Sequence, residues 1–334
     1  MIEYADVIVD LQQGDSGKGK VASYLAEQGV YTHVVRYNGS NNAGHTIYVK
    51  GKKIVTHSIP VGVVHGVKSL IGPGCVLNVE HFFDELKEIE AAGFEAKSLI
   101  KIAKNVHIIT QQHLEEDGTD TKIGTTRRGN GPAYKDKYDR KGLRACDVPE
   151  LASFLIDVYE EFHEKDPCKI LFEGAQGFYL DVDWGDYPYV TSSHCTVGSA
   201  LMNGVPPQKI RKVFGVAKAY ETYVGMKKFE PEEEVFSQIR ENGKEYGATT
   251  GRARQCNWIN IDNLVSAVRI NGVTDLVVNK VDVLRSIDRW CAYVDGKKKE
   301  YSSEEELLNE IVQATKCERL HWSDDPYEIG RVIS

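Results

Sequence analysis

Cysteine is sparse in this sequence, and its placement excludes several classes of protein. The seven cysteines are odd in number, lie far apart and form no Cys-x-x-Cys pair: Cys75, Cys146, Cys168, Cys195, Cys256, Cys291 and Cys317. Such spacing argues against a disulfide framework and against a zinc site. We therefore expect buried or spectator thiols in a reducing compartment.

Long apolar runs and a signal peptide are also missing. No run of about 18 apolar residues occurs, so the sequence predicts no membrane-spanning helix. The first residues include Glu3 and Asp6 and pass directly into a strand-like stretch, unlike the basic and apolar segments of a signal peptide. We expect a cytoplasmic protein.

Basic charge does not dominate either. Lys plus Arg amounts to 41 residues and Asp plus Glu to 49, which gives a net charge of −8. An acidic chain is a poor candidate for general binding to nucleic acids or anionic membranes, so any phosphate must be bound at a local site. The 334 residues, 41% of them hydrophobic, can bury a sizeable core. Because neither repeats nor linkers divide the chain, we predict a single domain over residues 1–334.

Strand-like and helical patterns alternate along the chain. The predicted strands are Val7–Leu11, His33–Tyr37, Lys169–Phe172, Val213–Ala219 and Asp275–Asn279, with a hairpin at Ile47–Val49 and Lys53–Thr56. The predicted helices are Val21–Glu27, Val79–Ala92, Ile261–Ile270 and Ser303–Thr315. This alternation predicts an α/β fold with a mainly parallel central sheet flanked by helices. Ligands of such sheets bind at the carboxyl ends of the strands.

A glycine-rich loop follows the first predicted strand, and its residues are Gly14, Asp15, Ser16, Gly17, Lys18, Gly19 and Lys20. Gly14 and the Gly19-Lys20 pair fit the G-x-x-x-x-G-K part of a P-loop, in which backbone N–H groups and a helix N-terminus bind phosphates. Val21 stands where Ser or Thr usually binds Mg²⁺, so Asp15 is the candidate ligand within the loop. The alternative is a glycine-rich turn with solvated lysines.

A second motif, Asn279-Lys280-Val281-Asp282, follows a predicted strand. A carboxylate at such a strand end can accept both N1–H and N2–H of guanine, whereas adenine offers no such pair of donors. The motif predicts a preference for GTP over ATP. Alone it is equally compatible with a capped strand end and solvated charges.

Several further loops combine glycine with hydroxyl, amide or arginine side chains. His45 lies among Asn and Gly residues and is a candidate proton donor, although a lone histidine is more often structural. The other loops are 123–134, 173–177, 187–193 and 248–254, and the last carries two arginines suited to a carboxylate. These loops favour a second anionic substrate. A regulatory GTPase, the rival interpretation, needs GTP alone.

Taken in order, these motifs resemble those of the adenylosuccinate synthetase family. They are GDSGKGK, NNAGHT, IGTT with GPAY, EGAQG, YPYVTSS, GATTGR and NKVD, and the resemblance extends from Asp6 to the segment Ser323–Pro326. It implies a P-loop-type sheet and a two-step GTP-dependent ligase. GTP would phosphorylate O6 of a 6-oxopurine nucleoside monophosphate, and the amino group of L-aspartate would then displace that phosphate from C6.

The resemblance also implies roles for individual residues. Asp15 corresponds to the general base and, with the carbonyl of Gly44, to the Mg²⁺ ligands, while His45 corresponds to the catalytic acid. The GTP positions are Gly14, Ser16, Gly17, Lys18, Gly19, Lys20, Thr46, Lys280, Asp282, Ser323 and Pro326. The monophosphate positions are Asn42, Thr125, Thr126, Arg140, Gln176 and Thr191. The aspartate positions are Thr249, Thr250, Arg252 and Arg254. Arg140 corresponds to an arginine that reaches the neighbouring subunit's site, so a homodimer is implied.

Position 16 departs from the family pattern, because Ser16 replaces a glutamate of the loop. Other departures are Asn41, Arg127, Tyr223 and Ala253. A phage branch of the family uses dGMP and makes a precursor of 2,6-diaminopurine, and this chain shares details with it. We therefore expect dGMP or GMP as the acceptor, since a small hydroxyl beside Asp15 would leave room for the 2-amino group or accept from it. The alternative is a neutral substitution in an enzyme that acts on IMP. A phage-encoded protein would work in the host cytoplasm.

Overall fold

The computed structural model describes residues 1–121, 123–247 and 251–333. Its strands are β1 (Ile2–Asp10), β2 (His33–Arg36), β3 (His45–Val49), β4 (Lys52–Thr56), β5 (Lys68–Ile71), β6 (Val76–Leu77), β7 (Ile100–Ala103), β8 (His107–Ile108), β9 (Leu155–Ile156), β10 (Cys168–Glu173), β11 (Ile210–Lys218), β12 (Tyr220–Tyr223), β13 (Gln255–Asn260), β14 (Asp275–Asn279), β15 (Trp290–Val294), β16 (Lys297–Tyr301), β17 (Arg319–Trp322) and β18 (Arg331–Ile333). Its α-helices are α1 (Lys18–Glu27), α2 (Val79–Ala91), α3 (Gln111–Gly118), α4 (Asn130–Tyr138), α5 (Val197–Leu201), α6 (Val235–Gly243), α7 (Ile261–Asn271), α8 (Val281–Ile287) and α9 (Glu304–Thr315).

The main sheet has ten strands in the order β18-β17-β14-β11-β1-β10-β2-β5-β7-β9. Its pairings are parallel except at one edge, where β18 runs antiparallel to β17. The central strand β1 is buried from Ala5 to Asp10, as expected for a parallel strand covered on both faces. The predicted α/β class with a mainly parallel sheet is confirmed.

Parallel pairing brings the carboxyl ends of the central strands to one edge of the sheet. Strands β1, β2, β10, β11 and β14 end at Asp10, Arg36, Glu173, Lys218 and Asn279. Four of these ends lead into a loop that the sequence singled out as a binding loop. The fold therefore collects these loops above the middle of the sheet, where ligands of such sheets bind.

Most predicted elements agree with the structure to within a few residues. The largest differences are at β1, which begins five residues earlier than predicted, and at α1 and β11, which each begin three residues earlier, at Lys18 and Ile210. Ser303 caps α9 as predicted, because its side chain accepts from the N–H of Glu306. No helix in the described part of the chain is long and apolar enough to cross a membrane. The cysteines are unpaired, and five of the seven are buried.

Candidate active site

The predicted phosphate loop lies between β1 and α1, and close packing requires its glycines. Gly14 and Gly17 have φ values of +84° and +102°, which favour glycine. A Cβ atom on Gly17 would lie 2.7 Å from Nδ2 of Asn279, and one on Gly19 would lie 2.6 Å from Cβ of His45. The loop is therefore pressed against two other predicted parts of the site, and α1 directs its N-terminus toward it.

The two lysines of the loop point to different places. Lys18 is buried, and its Nζ donates to Oδ2 of Asp10 at 2.9 Å and to the carbonyl of Gln176 at 2.5 Å. Lys20 Nζ donates instead to Oγ of Ser323 at 2.7 Å and to the carbonyl of Asp325 at 2.8 Å. Burial lowers the pKa of Lys20 to about 8. Lys20 thus joins the phosphate loop to the segment that contains Ser323 and Pro326.

His45 is held in a buried cluster with two residues whose roles the sequence did not suggest. Its Nδ1 contacts Oε1 of Glu173, and Nη1 of Arg36 lies 3.0 Å from Nδ1 and 3.1 Å from Nε2 of the ring. Burial, reinforced by the Arg36 charge, lowers the pKa of His45 to about 4, so the ring is neutral at pH 7. We assign the proton to Nδ1, which donates to Glu173, and the lone pair to Nε2, which accepts from Arg36.

Glu173 remains ionised within this cluster. Burial raises its pKa, but Arg36 and His45 outweigh that effect and hold the pKa below its ordinary value. Arg36 closes β2 and is buried, with its Nη1 3.3 Å from Oε1 of Glu173. Arg36 could have been identified from the sequence, because it is a charged residue at the end of an apolar strand.

Asp15, the predicted general base, projects from the loop and is 39% exposed. Its Oδ2 lies 2.9 Å from Nη2 of Arg254, a predicted aspartate-binding residue, and Arg254 Nη1 donates to Oε2 of Glu245 at 2.5 Å. Glu245 in turn accepts from Nζ of Lys218 at 3.1 Å. The four side chains form a row of alternating charge, of which the sequence predicted Asp15 and Arg254 only.

The predicted guanine motif contacts the phosphate loop directly. Asn279 donates from Nδ2 to the carbonyl of Ser16 at 2.7 Å. Lys280 donates to the carbonyl of Gly243, and Asp282 is exposed in the first turn of α8. The N–H of Ser323 donates to the carbonyl of Val278 at 2.8 Å, so this segment lies beside the motif.

The predicted monophosphate and aspartate loops share a cavity of about 420 Å³, whose lining includes Thr125, Tyr223 and Arg252. Arg252 Nη1 donates to the carbonyl of Gly124 at 3.3 Å, and Gln176 Nε2 donates to Oδ1 of Asn42 at 3.0 Å.

Some predicted residues lie outside these contacts. Thr249 and Thr250 lie outside the described residues. Thr126 and Thr191 are half-buried, as are Gly44 and Thr46, whereas Arg140 is exposed just beyond α4. Within the described residues, the side chains of Thr126, Thr191 and Arg140 make no hydrogen bond that joins them to this group.

The hydroxyl of Ser16 is directed at the buried carboxylate of Asp10. It is buried and donates to Oδ1 of Asp10 at 2.9 Å, with Oε1 of Gln12 at 3.2 Å. The expectation that this hydroxyl accepts from a 2-amino group of the acceptor stays a prediction.

Comparison with known proteins agrees with this arrangement of loops. The sequence profile of the adenylosuccinate synthetase family matches residues 7–167 and 149–325. An adenylosuccinate synthetase from Caldanaerobacter subterraneus subsp. tengcongensis is 38% identical over 339 aligned positions, which cover 85% of this chain and 79% of that protein. One from Xylella fastidiosa is 40% identical over 338 positions, covering 85% of this chain and 78% of that protein.

Two solved structures share the fold. A fully ligated adenylosuccinate synthetase from Plasmodium falciparum has a TM-score of 0.86 at 26% identity, and 99% of each chain is covered. A cyanophage S-2L succinoaminodeoxyadenylate synthetase, bound to dGMP and dATP, has a TM-score of 0.77 at 22% identity, with 100% of this chain and 95% of that chain covered. The second likeness concerns the fold alone. From the profile and the relatives together, the chain belongs to the adenylosuccinate synthetase family of GTP-dependent C–N ligases.

Proposed function

We propose that this protein joins L-aspartate to C6 of a 6-oxopurine nucleoside monophosphate through a 6-phosphoryl intermediate. The observation that supports this most directly is the ion pair between Asp15 and Arg254, 2.9 Å apart beside the phosphate loop. It puts a candidate base for the purine and a candidate cation for the amino acid at one point. A regulatory GTPase, which binds GTP alone, does not need this pair of residues.

In the proposed reaction, Asp15 takes the N1 proton of the purine, which raises the charge on O6. O6 then attacks the γ-phosphorus of GTP, and GDP leaves. The aspartate amino group next attacks C6, and the phosphate on O6 leaves with the former carbonyl oxygen and with the proton that the amino group gives up. Arg254 binds the incoming aspartate carboxylate while Glu245 keeps its guanidinium in place.

His45 is proposed to stabilise the transferring phosphoryl group. The ring is neutral at pH 7 in its present surroundings, but a negative phosphoryl group beside it would favour the protonated form. Glu173 then stabilises the positive ring through Nδ1. Nε2 becomes a donor to the phosphoryl oxygens once Arg36 has moved from it.

The residues present fit a magnesium ion. The Asp15 carboxylate is partly exposed, and a positive φ of 57° turns it out of the loop. Mg²⁺ prefers one or two carboxylates together with phosphate oxygens and water. Asp15 and the carbonyl of Gly44 would hold it, and the ion would neutralise charge on the transferred phosphate.

Two acceptors fit this chemistry, and each is favoured by one observation. IMP is favoured by relatives of 37–40% identity that are adenylosuccinate synthetases. A guanine nucleotide, dGMP or GMP, is favoured by the small side chain at position 16, which leaves room beside Asp15. The contact between Ser16 and Asp10 offers a second explanation for serine at position 16, because a glutamate at this position would put its negative charge beside the buried carboxylate of Asp10. We therefore propose IMP as the principal acceptor, with dGMP or GMP as the second candidate.

The deciding experiment is a phosphate-release assay with GTP, Mg²⁺ and L-aspartate, run separately on IMP, GMP and dGMP. We expect kcat/KM to be highest for IMP, with products identified by mass. A higher value for dGMP or GMP would reverse the order of the two candidates. Phosphate release that is unaffected by omission of both aspartate and the acceptor would contradict the ligase mechanism and favour a regulatory GTPase.

The same proposal includes a homodimer in the cytoplasm. Arg140 is exposed beyond α4, where a neighbouring subunit can be reached. The seven unpaired thiols suit a reducing compartment.

A further inference from the structure

One buried carboxylate beneath the phosphate loop has no part in the mechanism above. Asp10 is the last residue of β1 and is 1% exposed. It lies too deep to meet a substrate, and a buried charge is costly unless it is paired. Its partners therefore indicate why it is there.

Four donors converge on the two oxygens of Asp10. Oδ2 accepts from Nζ of Lys18 at 2.9 Å and from the N–H of Ser16 at 3.1 Å. Oδ1 accepts from the hydroxyl of Ser16 at 2.9 Å and from the N–H of Gln12 at 3.0 Å. All three partners belong to the loop or to the turn that leads into it. The carboxylate thus fixes both the path of the loop and the position of its buried lysine.

Among the described residues the ammonium of Lys18 has two acceptors, which leaves one N–H for an anion. It has three N–H groups, of which one is directed at Asp10 and one at the carbonyl of Gln176. The Lys18 side chain is only 3% exposed, so its freedom is lost on folding rather than on binding. A phosphate arriving over the loop meets a cation that is already oriented.

We propose that Asp10 is a positioning residue that holds Lys18 and the turn at Ser16 in the geometry needed for the triphosphate of the nucleotide donor. This inference rests on the proposed function, because it takes the loop to bind GTP. Asp10 acts through Lys18 and touches no substrate. Its charge, and not only its shape, is required, since an amide at this position carries no negative charge to balance the ammonium and has one acceptor oxygen in place of two.

The test compares Asp10→Asn with Asp6→Asn by calorimetric titration with Mg²⁺ and GTP. Asp6 is a matched control, because it is also buried on β1, four residues before Asp10 and farther from the loop, and it pairs with Arg211, whose Nε lies 3.0 Å away. We expect Asp10→Asn to weaken GTP binding at least tenfold and Asp6→Asn to change it less than twofold. In turnover assays, KM for GTP should rise in Asp10→Asn while KM for aspartate stays within threefold.

Rescue separates positioning from a merely structural role. In the double variant Asp10→Asn with Ser16→Asp, a carboxylate returns beside Lys18, and we expect most of the lost GTP affinity to return. Unchanged GTP affinity in Asp10→Asn, or an equal loss in both single variants, would overturn the proposal. If Asp10→Asn does not fold, Asp10→Glu decides, because it keeps the charge but moves it by one methylene. Unchanged GTP affinity in that variant would also overturn the proposal.

Direct titration keeps this test separate from that of the proposed function. If the wild-type protein showed no aspartate-dependent phosphate release, the ligase mechanism would be refuted. The comparison of GTP affinities would still decide the role of Asp10.

Discussion

Glu221 offers a test of the electrostatics behind the phosphate loop. It lies on β12, is 4% exposed, and burial raises its pKa to about 7 from 4.5. Oε1 accepts from the N–H of Asn260 at 3.1 Å, and Oε2 accepts from Nε2 of Gln13 at 3.4 Å, while Oε1 of Gln13 has no hydrogen-bond partner in the described part of the chain. We predict that Glu221→Gln stabilises the protein at alkaline pH, because glutamine stays neutral and its amide can donate to Gln13.

Proton linkage determines the sign and the size of the change in stability with pH that Glu221 causes. Because the pKa of Glu221 is higher in the folded protein, the folded state holds the proton between about pH 4.5 and 7. Its contribution to stability is therefore fully present below pH 4.5 and is lost as pH rises through 7. A difference of 7 − 4.5 = 2.5 pKa units corresponds to about 3 kcal/mol at most.

Urea unfolding of wild type and Glu221→Gln at pH 5, 6, 7 and 8 measures this difference. We expect the advantage of the variant to grow by about 2–3 kcal/mol between pH 5 and pH 8. Glu85→Gln serves as a contrast, because Glu85 accepts backbone N–H bonds from His57, Ser58 and Ile59, which one amide oxygen cannot all replace. That variant should be destabilised at pH 8. A stability difference between Glu221→Gln and wild type that does not vary with pH would refute the reasoning.

The remaining predictions concern catalysis and donor choice. Asp15→Asn and His45→Asn should each abolish most turnover while calorimetric GTP binding and the fold survive, and a near-normal kcat in either variant would remove that residue from its role. Asp282 should make GTP the preferred donor, since adenine would lose two charge-assisted hydrogen bonds of about 1.5–3 kcal/mol each. Comparable kcat/KM with ATP and GTP would contradict the guanine assignment.

The sequence predicted the elements well where burial alone determines them. The apolar run Val7–Leu11 and the strand Asp275–Asn279 are buried and parallel, as their composition indicates. The start of α1 was missed, because its first turn carries Lys18 and Lys20 and so lacks the apolar spacing from which the helix was predicted. Gly19 packs closely against His45, and Lys20 donates to Ser323. These contacts join residues that are far apart in sequence, so they produce no periodic pattern from which the helix start could be predicted.

Motifs identified the candidate site, but the partners of its residues could not be predicted from them. Glu245 and Asp15 are far apart in sequence and meet only through Arg254. Likewise, the sequence indicates only that Asp10 is a polar residue at the end of a strand. Its pairing with Lys18 depends on how the loop turns back over β1. The residue roles and the single domain over 1–334 stay predictions.

Buried carboxylates explain how an acidic chain can bind several anions at one edge of its sheet. Lys18 pairs with Asp10, Arg36 with Glu173, and Arg254 with both Glu245 and Asp15. Each pair keeps a desolvated cation fixed in the absence of substrate. The pairs differ in what a substrate can displace, because Asp15 is partly exposed whereas Asp10, Glu173 and Glu245 are buried. In the proposed mechanism, an incoming aspartate carboxylate would therefore replace Asp15 at Arg254 and free that carboxylate for the purine, while the other three acids stay in place.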